Sequence, residues 1–243
     1  MNLLTVTCNQ DKQAMLLQAE SISKYLEPTR HYVVVNEPDA DLRSWRELLG
    51  QYYTRHELVL MNYGRYGGQG WHTQQCYKLM IGLDIDTDYL VLDSKNFFIK
   101  PTSLRQWDNI DGDNTTRLIS DKPEFIPANL RYARYFEVEP FERVLSICTP
   151  FKIRHQVIKQ WGRDTIDWFA KQTDIVNSEF VLYSYMLQGH YQTTQQKLHY
   201  SWWQGDTIPE TITNIPDNIH VLGIHRLCGH TTIPEQLGFT TVV

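Results

Sequence analysis

Tyr89-Leu90-Val91-Leu92-Asp93-Ser94-Lys95-Asn96 is an apolar run that stops abruptly at polar residues. So short and unbroken a run reads as a strand buried on both faces, and such strands belong to parallel sheets covered by helices. Reading outwards towards the amino terminus, Thr73 to Leu83 has the spacing of a helix, and a Gly-rich loop, Tyr63 to Gly70, precedes it. Glu57 to Met61, His31 to Val35 and Leu3 to Cys8 read as further strands. Between them lie a helix carrying Met15, Leu16, Ile22 and Leu26, and a second helix, Asp41 to Leu49, stopped by Gly50. Strand and helix therefore alternate through the first hundred residues, which predicts an open α/β fold with a mixed, mainly parallel sheet flanked by helices.

Beyond Pro101 the pattern loosens. Trp107 to Thr116 is polar and turn-rich, and Asp121 to Pro140 mixes prolines with aromatics. Helical spacing returns at Thr149 to Trp161 and at Glu179 to Leu187, and Tyr200 to Val243 reads as short strands and loops around Ile219 to Ile224. No repeat or linker divides the chain, so one domain is expected, with residues 1–101 and 102–243 as its two halves.

Composition narrows the class of function. The 243 residues are 42% hydrophobic and 21% charged, with 14 Tyr and 7 Trp, which is the make-up of a soluble globular protein. Lys and Arg number 23 against 28 Asp and Glu, giving a net charge of -5 and no general attraction to nucleic acid or anionic membranes. No stretch approaches the roughly 20 apolar residues of a membrane span, and Met1 to Asn9 lacks a basic region and breaks into polar residues too soon for a signal peptide. Cys8, Cys76, Cys148 and Cys228 are widely separated, with no CxxC pair, so a cytoplasmic location is expected.

The signatures of P-loop, α/β-hydrolase, zincin and dinucleotide-binding proteins are absent. Gly67-Gly68-Gln69 reads as flexible loop. Two acidic clusters remain as places for a metal or a diphosphate. Asp84, Asp86 and Asp88 are the richer set, but they precede the strand, whereas ligands of open α/β sheets bind outside the carboxyl ends of strands. They are expected to form a turn and its caps. Asp93-Ser94-Lys95-Asn96 leaves the strand at the correct end.

Gly70-Trp71-His72-Thr73-Gln74-Gln75-Cys76-Tyr77-Lys78-Leu79, followed by Asp88 to Pro101, resembles the core of GT-A glycosyltransferase-like proteins. It is similar in particular to the DUF6492 family, with its "GWxxQQxxKL…YLxLDxD" core, and more distantly to glycogenin-type transferases. The resemblance implies a nucleotide-sugar donor, a glycan or other small acceptor, and a DxD motif holding Mn²⁺ or Mg²⁺ against the donor diphosphate. It places Asp93 in that motif, Lys78 and Gln75 at the donor sugar, and His225 with Arg226 at the closing element Gly223-Ile224-His225-Arg226. Thr149-Pro150-Phe151 and Ser178-Glu179-Phe180 resemble family elements on the acceptor side.

One departure matters, because the second carboxylate of DxD is Lys95. Hard cations prefer several oxygen ligands, and an ammonium repels them. Either Asn96 serves as a neutral ligand beside Asp93 and His225, or Lys95 replaces the metal by pairing with the diphosphate, or activity is lost.

Several residues carry two readings. Glu179 is an acceptor-side base or a first-turn carboxylate favoured by the helix dipole. Thr7 and Asn9, at the carboxyl end of the first strand, contact the nucleotide or cap a turn. His225, Cys228 and His230 form a transition-metal cluster, or His225 acts alone at the donor. Trp71 and Gln75 are ordinary loop and helix-face residues in their bland reading, and Trp202 and Trp203 are packing or a sugar platform. The function expected is therefore a nucleotide-sugar-dependent hexosyltransferase-like enzyme. Its rivals are a catalytically silent protein of the same fold that binds a nucleotide or glycan, and a nucleotidyltransferase. The last should carry a basic Gly-rich loop after the first strand, which Asn9-Gln10-Asp11-Lys12 is not.

Overall fold

The first strand, β1 (Asn2–Thr7), is buried along almost its whole length, as is β2 (Arg30–Val35), and β3 (Glu57–Met61) follows. The computed structural model describes residues 1–64, 70–194, 196–202, 215–225 and 232–240. β1 pairs in parallel with β2, and β2 with β3, so Thr5 lies opposite Val33 and Val33 opposite Leu60. Parallel pairing requires crossovers, supplied by α1 (Lys12–Tyr25) and α2 (Leu42–Leu49). Asp41 caps α2 by accepting from the backbone N–H groups of Arg43 and Ser44.

α3 (Gly70–Asp84) leads into β4 (Tyr89–Asp93), whose residues from Tyr89 to Leu92 are fully buried. The five-stranded sheet has the order β3-β2-β1-β4-β8, where β8 is Phe151–Ile153 and runs antiparallel to β4. The expected mixed, mainly parallel sheet is thus present, with Tyr89 to Leu92 in an interior strand. A second sheet joins β5 (Asn96–Phe98), β10 (Val221–Ile224) and β9 (His199–Trp202), and a small ribbon joins β6 (Thr116–Leu118) to β7 (Arg143–Leu145). The other helices are α4 (Ile126–Phe136), α5 (His155–Ala170), α6 (Glu179–Met186) and the short α7 (Ile233–Gln236). Gly162 interrupts α5 with φ 70°.

Two elements differ from expectation. Thr149 to Trp161 is a strand and then a helix, because Phe151 and Ile153 alternate around Lys152 and pair with Val91 and Tyr89; Arg154 stays extended before α5 begins. α4 forms within Asp121 to Pro140, where the loosened pattern predicted no regular element. Pro127 lies in its first turn, where the missing N–H costs nothing, and Ala128, Tyr132 and Ala133 supply the buried face.

By packing, the described chain divides into two compact units. The first comprises Met1–Gly64, Leu92–Gln106 and Lys197–Val243, and the second Arg65–Val91 and Trp107–Gln196. The chain crosses between them inside β4. The first unit has a core of Leu17, Phe97, Trp202, Leu222, Ile224 and Phe239. In the second unit Phe151 stacks on Phe180 at 4.0 Å and Tyr135 on Trp168 at 3.9 Å. No helix among the described residues is long and apolar enough to cross a membrane.

Candidate functional site

In the first unit, the carboxyl ends of the parallel strands are laced together by side chains. The Asn36 backbone N–H donates to the Thr7 carbonyl at 2.7 Å. Glu37 accepts from the Asn9 backbone N–H at 2.7 Å and also from the Asn9 amide, while Asn62 donates to the Glu37 carbonyl at 2.6 Å. Asn9 is thus positioned by Glu37, a residue the sequence reading did not single out. Thr7 is fully buried, and its hydroxyl has no partner among the described residues.

β4 ends at Asp93, and the turn to β5 places Lys95 Nζ 2.5 Å from Asp93 Oδ2. Neither side chain is sealed away, for Lys95 is 14% and Asp93 26% exposed. The Asp93 backbone N–H donates to Asn96 Oδ1 at 2.8 Å, which tightens the turn, and Ser94 Oγ donates to Asp11 Oδ2 at 2.9 Å. Asp11, just past β1, is a second residue that sequence reasoning passed over; its signal is a carboxylate at the carboxyl end of a buried strand.

β10 runs antiparallel to β5 with Gly223 opposite Asn96, and the Ile224 N–H donates to the Lys95 carbonyl at 3.2 Å. The backbone of His225 therefore continues alongside the Asp93–Asn96 turn, and its N–H donates to Trp202 O at 3.0 Å. Gly223 is required here. A Cβ at this position would collide with Ser201 Oγ and lie 2.9 Å from Asn96 Nδ2. Asn96 Nδ2 and Ser201 Oγ are buried without a partner among the described residues. A buried donor left unpaired costs about 1–3 kcal/mol, so among the described residues this corner of the turn is polar with bonding capacity unused. Trp202 packs in the core and meets exposed Tyr200 edge to face at 5.0 Å. Arg226, Cys228, His230, Trp203 and Gly67 to Gln69 lie outside the described residues.

In the second unit, Gln75 and Lys78 lie three residues apart on one face of α3, and Glu179 opens α6. Ser178 caps α6 by accepting from the Phe180 and Val181 N–H groups. Lys78 Nζ is 2.9 Å from Glu179 Oε1, with 6% and 1% exposure, and its ammonium lies 5.1 Å from the Phe180 ring centre. With the Gln75 amide assigned so that its nitrogen faces the carboxylate, it donates to Glu179 Oε1 at 2.7 Å and accepts from Trp71 Nε1 at 3.3 Å. Burial, and then the Glu179 charge, push the neighbouring Cys76 thiol up to about 12, which leaves it inert as a nucleophile. His72 is also buried, and its Nε2 donates to the Ala170 carbonyl at 3.1 Å.

Of the acidic run before β4, expected as a turn and its caps, Asp84 closes α3, Asp86 lies in the bend that follows, and Asp88 caps the start of α5. Asp88 Oδ1 accepts from the His155 backbone N–H at 3.2 Å and from Nδ1 at 3.0 Å at the start of α5, and Asp86 pairs with Lys159 at the surface.

No family model and no curated protein sequence matches the chain. Among solved structures it is similar to the galactosyltransferase LgtC in complex with donor and acceptor sugar analogues. There the TM-score is 0.54 and the identity 14%, over 94% of this chain and 91% of that one. It also matches the apo form of the glycosyltransferase GlyE of Streptococcus pneumoniae TIGR4, with TM-score 0.45 and 10% identity over 79% of this chain. The bifunctional glycosyltransferase WbbM matches with TM-score 0.44 and 11% identity over 69% of this chain. The chain spans 44% of GlyE and 33% of WbbM. The likeness to LgtC, which runs nearly end to end, establishes a shared GT-A-type fold.

Proposed function

We propose that this chain is a nucleotide-sugar-dependent glycosyltransferase in which the Lys95 ammonium meets the donor diphosphate at the carboxyl end of β4. The observation that carries this reading is the Lys95–Asp93 pair, held at 2.5 Å where an open α/β sheet receives its ligands. The fold supports it, since the galactosyltransferase LgtC, which shares that fold, was solved with donor and acceptor sugar analogues.

The residues of the turn fit a divalent cation poorly. Mn²⁺ and Mg²⁺ seek several oxygen ligands, whereas the turn itself carries one carboxylate, which already holds an ammonium, and the neighbouring Asp11 carboxylate already accepts from Ser94 Oγ. A lysine carries three donors on a mobile stem, which allows it to hold Asp93 and phosphate oxygens together without octahedral geometry. In this reading Asp93 orients the ammonium, and the ammonium stabilises the charge that grows on the departing diphosphate. Asn96 and Thr7, whose buried amide nitrogen and hydroxyl have no partner among the described residues, are assigned to the donor, together with Asn9, His225 and Arg226. We further assign Gln75 and Lys78 to the donor sugar, and Glu179 is the candidate base if transfer inverts the linkage. Burial favours a second reading of these three, as a structural ion-pair group, because a carboxylate 1% exposed and paired at 2.9 Å is costly to release.

Titration calorimetry with UDP, GDP, ADP and CDP, followed by product analysis on the matching nucleotide-sugars, tests the proposal. One diphosphate should bind, and Lys95→Ala should weaken it by at least about tenfold, as loss of a charged hydrogen bond does. Slow hydrolysis of the matching nucleotide-sugar should follow. Binding without hydrolysis or transfer of any sugar would make the chain a silent binding protein, a reading the Lys95 substitution also favours. No binding at all would overturn both.

A further inference from the structure

Behind the Asp93–Asn96 turn lies a chain of buried polar groups drawn from four separate segments of the first unit. Gln18 of α1 is fully buried, and its Nε2 donates to the Asp93 carbonyl at 2.8 Å and to the Asn96 carbonyl at 2.9 Å. These are the carbonyls at the two ends of the turn that carries Asp93 and Lys95. Gln18 Oε1 accepts from Thr5 Oγ1 at 2.7 Å, Thr5 Oγ1 meets His31 Nε2 at 2.9 Å, and His31 Nδ1 meets the Tyr53 hydroxyl at 2.6 Å.

The direction of every bond in this chain is determined. Carbonyl oxygens only accept, so both amide hydrogens of Gln18 are spent on the turn and its oxygen must receive the single Thr5 hydrogen. Thr5 then has only lone pairs to offer His31, which must carry its proton on Nε2. His31 Nδ1 is left as an acceptor, and Tyr53 donates to it. Burial agrees with this order: it pushes the His31 imidazole down to about 3, keeping it neutral, and pushes the Tyr53 phenol far up, keeping its proton.

We propose that Gln18 is the positioning residue of the Asp93–Asn96 turn, and that the relay from Tyr53 through His31 and Thr5 locks its amide in the orientation that serves both carbonyls. The inference deepens the reading of this turn as the diphosphate site and rests on it for its consequence in binding. Gln18 does for the turn what a neighbouring strand does for a strand: it satisfies the carbonyls at both ends of the turn, and so fixes the backbone from which Asp93 and Lys95 project. A packing residue of the same shape would fill the space without setting that backbone.

Two measurements on the full chain test it. Nitrogen-15 NMR of the imidazole reads the tautomer of His31, and hydrogen exchange reads the Asp93 and Ile224 amides, which bond within and onto the turn at 2.8 and 3.2 Å. The β3 amides serve as the control for global loss of stability. The account expects the Nε2–H tautomer in the unaltered protein. It expects exchange at Asp93 and Ile224 to quicken by about tenfold in Thr5→Val and more in Gln18→Leu, with Thr5→Ser restoring protection. UDP, GDP, ADP or CDP affinity, whichever the unaltered protein shows, should fall and recover in the same order. An Nδ1–H tautomer would overturn the relay, because Thr5 would then have to donate to His31 instead of Gln18. Unchanged exchange at both amides in Gln18→Leu, or Thr5→Ser behaving as Thr5→Val, would do the same. If none of the diphosphates binds the unaltered protein, the functional reading falls, while tautomer and exchange still decide the relay.

Discussion

Lys78–Glu179 and Lys95–Asp93 are the same chemical pair at different depths. In the second unit, Lys78 and Glu179 are 6% and 1% exposed, and the carboxylate is further bound by Gln75. In the first unit, Lys95 and Asp93 are 14% and 26% exposed on a turn where a strand ends. The buried pair has surrendered its hydration and is compensated only by its neighbours, so moving either charge is expensive. The shallow pair keeps access to water, and its ammonium can turn towards an incoming anion at small cost. Depth therefore separates a pair that holds structure from a pair that can exchange partners.

The largest effect should come from breaking the deep pair. Lys78→Ala strands the Glu179 carboxylate and should cost about 3–5 kcal/mol in urea unfolding, whereas Lys78→Met combined with Glu179→Leu should recover most of that loss. A cost below about 1 kcal/mol for the single variant would mean the pair is hydrated after all, and the contrast between the two pairs would disappear.

Acid probes the layer beneath the shallow pair. His31 holds a folded pKa of about 3 against about 6.5 unfolded, so below 6.5 the unfolded chain binds a proton that the folded chain refuses. Its contribution is complete above 6.5 and is lost as the pH falls towards 3, by about 1.4 kcal/mol per pH unit. His199, pushed down to about 4 by burial, adds to the slope. Urea unfolding between pH about 7 and about 5 should show this slope, and His31→Gln should flatten it. An equal slope in the variant would show that His31 is not held neutral.

The smallest effect on stability should come from the shallow pair itself. Lys95→Ala should change unfolding by about 1 kcal/mol or less, as partly exposed ion pairs do. A loss comparable to that of Lys78→Ala would make it a structural pair too.

Much of the frame was legible in the sequence because each of its strands is marked by its own residues. Leu3 to Cys8, His31 to Val35 and Glu57 to Met61 announce strands by their own apolar residues, and Tyr89 to Leu92 announces an interior one. Asp93 at a strand end and Asp88 as a cap were readable from their place relative to that run. β8 was hidden inside an apparent helix, since three residues of alternation cannot outweigh the helical spacing that follows. α4 was hidden by Pro127, which marks a helix start as readily as a turn. Gln18, Thr5, His31 and Tyr53 come from four segments, and no local pattern joins them. One clue was present: Gln18 falls between Met15 and Ile22 on the buried face of α1, where a polar side chain needs partners. Likewise, the depth of Glu179 depends on packing between α3 and α6 that no spacing within Ser178-Glu179-Phe180 encodes.

The claim that Lys95 stands where a metal-binding carboxylate would otherwise be is tested most directly by calorimetric titration of a nucleoside diphosphate with and without chelator. The unaltered protein should bind equally well in both conditions. Lys95→Asp should bind only when Mn²⁺ or Mg²⁺ is supplied, because two carboxylates need a cation between themselves and the phosphates. If the unaltered protein instead binds only with metal, Lys95 is no surrogate, and Asp93, Asn96 and His225 become the ligands to examine.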